Sequence, residues 1–136
     1  MEVDRTEPVA ERVPLPKPRR FTARERALVE LLLDGPLGRD ELRDQARTAQ
    51  VTGVCTCGCP SVWLEVDPAA PSAQFSPAES PYGSAEAVDI TAVQRKKRGT
   101  TEVTLHVVNG RMFELEIWAG DYGVRPRIDL AKLEYA

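Results

Sequence analysis

From Ala23 onward, apolar residues recur at Ala27, Leu28, Leu31 and Leu32, the spacing that lines one face of an α-helix, until the Gly35-Pro36 pair stops it. Thr22 with Glu25 makes a capping box, each side chain satisfying a free backbone N–H of the first turn, and Phe21 stands where a hydrophobic staple would pack. A second helix is predicted from about Arg39 to Thr48, with Leu42, Ala46 and Ala49 on one side and charges around the rest. From Gln50 the period changes to two, which predicts strands at 50–55, 60–67, 86–94, 101–108 and 111–118. The pattern therefore predicts an α+β fold: a helical hairpin packed on one face of a roughly five-stranded antiparallel meander.

Two stretches break the pattern. Residues 1–20 carry Pro8, Pro14, Pro16 and Pro18 among mixed charges without apolar periodicity, which predicts a disordered arm whose removal leaves folding intact. Residues 68–85 hold Pro68, Pro71, Pro77, Pro81 and Gly83, as a long surface loop would. The single domain then spans 21–136. Its tail after Trp118 reads as irregular, with Ile128, Leu130 and Leu133 able to dock on the core.

The turn at Asn109-Gly110 sets which residues share a surface. A two-residue turn would oppose Leu105 to Glu114 and mix apolar with acidic positions. A three-residue loop of Val108, Asn109 and Gly110 would instead pair Val107 with Arg111, Leu105 with Phe113 and Val103 with Leu115. That register predicts a core face of Val103, Leu105, Val107, Phe113, Leu115 and Ile117, joined by Val62, Leu64 and Val66. It predicts an opposite face of Trp63, Glu65, His106, Met112, Glu114, Glu116 and Trp118. Two tryptophans on a face that the core does not need point either to a protein partner or homodimer, or to partial cover by the long loop or the C-terminal tail.

Composition narrows the functional classes. The 136 residues are 42% hydrophobic and 29% charged, which suits a globular chain with its own core. A net charge of -3 argues against nucleic acid as partner, the run Arg95 to Arg98 being a solvated turn without interleaved aromatics. No apolar stretch reaches the ~20 residues of a membrane span and no signal-peptide segment is evident, so the expected compartment is the cytoplasm.

Three segments, PheThrAlaArgGluArgAlaLeu at 21–28, CysThrCysGlyCysProSer at 55–61 and AsnGlyArgMetPheGluLeuGluIle at 109–117, together resemble a group of small actinobacterial proteins with no established activity. The resemblance covers most of 21–118. It implies a shared fold and carries over no functional residue.

Candidate chemistry is sparse. All three cysteines, Cys55, Cys57 and Cys59, lie within five residues, the opposite of a dispersed disulfide framework. Without a fourth cysteine or the usual two-residue spacer, they are expected as small, reduced, metal-free residues at a tight turn. Zinc is the alternative, with His106 or a partner chain completing the site, and thiol-redox chemistry is another. His106 is the sole histidine and is expected as a solvated strand residue, and no serine or cysteine nucleophile motif accompanies it. Glu114 and Glu116 share a strand face, but alternate glutamates usually mark the wet side, so a small enzyme built on these carboxylates and His106 ranks last. No phosphate-binding glycine pattern occurs. The reading is thus a non-enzymatic binding protein, by analogy of an immunity type that blocks a toxin, with a metal or thiol protein as the alternative.

Overall fold

The computed structural model describes residues 11–136 and consists of two helices and a seven-stranded antiparallel sheet. Helix α1 runs over Ala23–Leu33 and starts on the capping box: Glu25 N–H donates to Thr22 Oγ1 at 3.1 Å, and Thr22 N–H donates to the Glu25 carboxylate at 2.9 Å. Helix α2 covers Asp40–Thr48. Leu28, Val29, Leu32 and Leu33 of α1 and Leu42 of α2 belong to one buried apolar cluster with Val51, Val62, Val88, Ile90, Val103, Leu105 and Leu115 of the sheet.

The strands are β1 (Arg12–Arg20), β2 (Gln50–Cys55), β3 (Val62–Glu65), β4 (Ala87–Arg95), β5 (Thr100–Val108), β6 (Arg111–Trp118) and β7 (Glu134–Tyr135). Their order across the sheet is β1-β2-β3-β6-β5-β4-β7. Two expectations are corrected here. There are seven strands rather than five, because both flanking segments pair with the sheet. The order is also not a meander: β3 lies beside β6, and the long connection after β3 carries the chain past β6 and β5 before β4 begins.

Residues 12–20, expected as disordered arm, form the edge strand β1 against β2, with Arg12 opposite Cys55 and Arg20 opposite Gln50. Proline is tolerated at a sheet edge, where the N–H it lacks would face away from any partner. The register slips between Pro14 and Arg19, so the proline stretch is accommodated as an irregularity. The part of the arm expectation that falls on 1–10 lies outside the described residues.

The β5–β6 hairpin overturns the three-residue loop. Val108 pairs with Arg111 and Val107 with Met112 around a two-residue turn in which Asn109 (φ 51°) and Gly110 (φ 75°) are both left-handed. A β carbon on Gly110 would lie 2.2 Å from the Ala73 carbonyl oxygen, so the long loop also requires glycine there. Beyond Met112 the register shifts by one, and His106 opposes Glu114 while Leu105 opposes Leu115. The extra residue is Phe113. A bulge thus restores the apolar phase that a two-residue turn would lose. It also exchanges two assignments: Met112 is buried (2%) rather than on the polar face, and Phe113 is 42% exposed rather than core.

Candidate functional site

The sheet face that bears His106 is a polar ladder crossing four strands. Asp89 of β4 opposes His106 of β5, and His106 opposes Glu114 of β6; Thr104 opposes Glu116, Glu102 opposes Trp118, and Trp63 of β3 opposes Glu114. His106 is half-buried and held at both ends, Nδ1 2.7 Å from Asp89 and Nε2 2.9 Å from Glu116. The bond to Glu116 is the main cause that raises its pKa to about 9; burial opposes it, and Asp89 adds to it. His106 is therefore an imidazolium clamped by carboxylates rather than a solvated strand residue. Tyr82 extends the chain by donating to Asp89 at 2.6 Å. Glu114 is raised above the usual carboxylate range by burial, and its nearest contact with the ring is 3.9 Å.

Cys55 closes β2, and the turn to β3 carries Cys57 and Cys59. The three Sγ atoms lie within 4.8 Å of one another, with Cys55 and Cys57 3.0 Å apart. Burial pushes the Cys55 thiol up to about 12, and the hydrogen bond it shares with Cys57 holds its proton. Burial also works to raise Cys57, but hydrogen bonds from the Cys55 thiol, the Cys59 N–H and side chain, and the Gly123 backbone outweigh it and bring Cys57 down to about 7. The tail packs over this turn. Arg125 donates to the Gly58 carbonyl at 2.9 Å, and a β carbon at Gly123 (φ 75°) would sit 2.7 Å from the Cys57 carbonyl oxygen.

The cysteines and the polar face meet in one open groove of about 360 Å³. The three thiols and Ser61 line one part of it. Trp63, Trp118 and Tyr122 line it too, together with Glu102, Glu114 and Glu116. Trp118 and Tyr122 stand edge to face, 5.3 Å apart at 77°. Of the residues expected on the binding face, Trp63, Glu114, Glu116 and Trp118 thus share the groove. His106 backs it through Glu116, Glu65 is exposed beyond it, and Met112 is on the other side of the sheet.

His106 is not a fourth thiol partner: both ring nitrogens are taken by carboxylates, and the cluster of metal-type ligand atoms among the described residues holds the three cysteines alone. Sequence reasoning missed Asp89, Glu102 and Tyr122. Asp89 and Glu102 occupy alternate positions in phase with their cross-strand partners, a signal readable once the register is known. Tyr122 sits in an irregular tail with no such signal. No helix of the described residues is long and apolar enough to cross a membrane. No family model, curated protein or solved structure matches the chain.

Proposed function

We propose that this chain is a binding protein rather than a catalyst, and that its ligand is a thiophilic metal ion held by Cys55, Cys57 and Cys59. The supporting observation is the convergence of three Sγ atoms within 4.8 Å. Tetrahedral zinc, with Zn–S of about 2.3 Å, needs sulfurs about 3.8 Å apart, a modest adjustment from this arrangement. Thiolate ligands also suit Cu(I). Cys57 is already near its thiolate form at neutral pH, and the metal supplies the driving force to remove the proton of Cys55. With His106 committed elsewhere, the fourth position of a tetrahedral ion falls to water or to a group reached through the groove. The reading places the protein in a reducing compartment, where the thiols stay free.

Titrating the reduced, metal-stripped protein with Co²⁺ tests this directly, because thiolate ligation gives an intense near-ultraviolet charge-transfer band. One ion per chain is expected, displaced by Zn²⁺ and absent in a variant carrying Cys55→Ser, Cys57→Ser and Cys59→Ser. Equal binding by the wild type and that variant would defeat the reading.

A further inference from the structure

Beside the thiols, the groove holds recognition chemistry of another kind. We infer that it receives an arginine side chain from a protein partner, an assignment independent of the metal reading. Trp63 of β3 lies directly opposite Glu114 of β6, and Trp118 of β6 lies directly opposite Glu102 of β5. Directly opposed residues have β carbons about 5 Å apart, so each pair sets an indole within reach of a carboxylate. A guanidinium uses both at once: its plane stacks on the ring while its edge forks onto the carboxylate. Tyr122, edge-on to Trp118, adds an aromatic corner.

Within the groove, Glu116 is paired with His106 from behind, whereas Glu102 and Glu114 have no hydrogen-bonded cation among the described residues. Its lining contains no lysine, arginine or histidine. The Glu114 carboxylate makes no hydrogen bond among the described residues, and its nearest cation, the His106 ring, is 3.9 Å away with that nitrogen already bonded to Glu116. An incoming cation gains a partially desolvated carboxylate that no donor hydrogen-bonds among the described residues, the 3.9 Å His106 contact being long-range by comparison. The groove is open along its length, which suits a side chain reaching in from a partner's surface. Lysine, a strongly hydrated point charge, gains less from the paired indole and carboxylate than a planar guanidinium does.

The two groove tryptophans are the only two in the chain, so their indole N–H resonances report on the site alone. A capped peptide glycine-arginine-glycine-arginine-glycine, titrated into the full chain, should move both signals saturably. Its citrulline twin, isosteric but uncharged, should bind at least about tenfold more weakly, a loss of about 1.4 kcal/mol. Glu114→Gln should weaken the arginine peptide several-fold while leaving the backbone amide spectrum native. The reduced, metal-stripped wild type should bind the peptide saturably without added metal, which separates this site from the metal. The assignment fails if the citrulline peptide binds equally, if the lysine twin matches arginine, or if the indole signals stay fixed while other resonances move.

Discussion

Cys57 and Cys55 share one hydrogen bond, and the environment of each decides which sulfur is the anion. Cys57, at about 7, should be alkylated by iodoacetamide with a rate that rises through pH 7 to a plateau, while Cys55, pushed up to about 12, should stay unlabelled over the same range. Cys55→Ala removes a donor from the Cys57 thiolate, so labelling of Cys57 at pH 7 should fall, with mass spectrometry of the peptides as the readout. A rate unchanged by Cys55→Ala would show that the backbone N–H groups alone set the acidity. His106 makes the opposite prediction about stability. An unfolded histidine titrates near 6.5, whereas in the fold the clamp raises it to about 9. The stabilisation is complete below the unfolded value and is lost as pH rises through 9. Screened by the water that reaches the ring, it is worth about 1–2 kcal/mol. Tyr82, held above its ordinary value by its bond to Asp89, titrates outside that window. The Cys57 thiol, lowered to about 7, titrates in the same window with the opposite sign but equally in both proteins, so the wild type should lose stability relative to His106→Gln between pH 6.5 and 9 in paired denaturant melts. At this scale the spacing of the cysteines was readable in the chain, but their acidity was not, because it depends on how the turn aims the Cys55 thiol and the Cys59 N–H at Cys57, with a smaller part from the Gly123 backbone far along in sequence.

Between elements, the β5–β6 hairpin shows how a correct goal can be reached by a different device. The need for one apolar face is legible in the alternation of Val103, Leu105 and Val107 with polar neighbours. Either a three-residue turn or a two-residue turn with a bulge satisfies it; they differ in whether Met112 or Phe113 goes inside and in a two-residue register offset beyond it, Leu105 facing Leu115 rather than Phe113. Asn109-Gly110 favours the two-residue turn, since both positions accept left-handed backbone. Deleting Phe113 would remove the bulge yet leave Val107 opposite Met112, His106 opposite Glu114 and Leu105 opposite Leu115 in one unbroken ladder, so this variant should keep the native fold in its amide spectrum, and Phe113→Ser at an exposed site should shift stability by no more than about 0.5 kcal/mol. Strand β1 was illegible for a related reason: its prolines read as disorder, yet they are compatible with an edge. Removing residues 12–20 would uncover the edge of β2, free Leu15 from the core and break the pair between Arg19 and Glu25, whose carboxylate stays below the usual range because Arg19 and Thr22 outweigh its burial. A loss of about 2–4 kcal/mol in urea melts is expected, in place of the small change that the proline pattern implied.

Across the whole molecule, what the chain could not disclose is strand order, and strand order is what brings Trp63 beside Glu114. In a meander β3 would lie next to β4, with β5 and β6 beyond it, and the cysteine turn would sit away from Glu116 and Trp118. The connection of residues 66–86 makes the alternative possible, and a single buried side chain pins it. Gln45 of α2 has no solvent exposure. Its Nε2 donates to the Pro71 carbonyl at 2.8 Å and to the Gly110 carbonyl at 2.9 Å, and its Oε1 accepts from the Met112 N–H at 3.0 Å. One amide thus fastens a helix, the long connection and the hairpin to each other, and the Ala73 N–H bond to the same Gly110 carbonyl at 2.9 Å reinforces the joint. Gln45→Leu keeps much of the volume but leaves the Met112 N–H and the Pro71 carbonyl without partners, at about 1–3 kcal/mol for each buried group. A total loss of about 2–5 kcal/mol is expected in denaturant melts. Because the joint involves α2, the long connection and the β5–β6 turn, none of which supplies a thiol, Co²⁺ binding at temperatures where the variant stays folded should match the wild type. Loss of stability and of metal binding together, in a variant whose amide spectrum is still native, would mean that the cysteine turn is coupled to the Gln45 joint through the sheet.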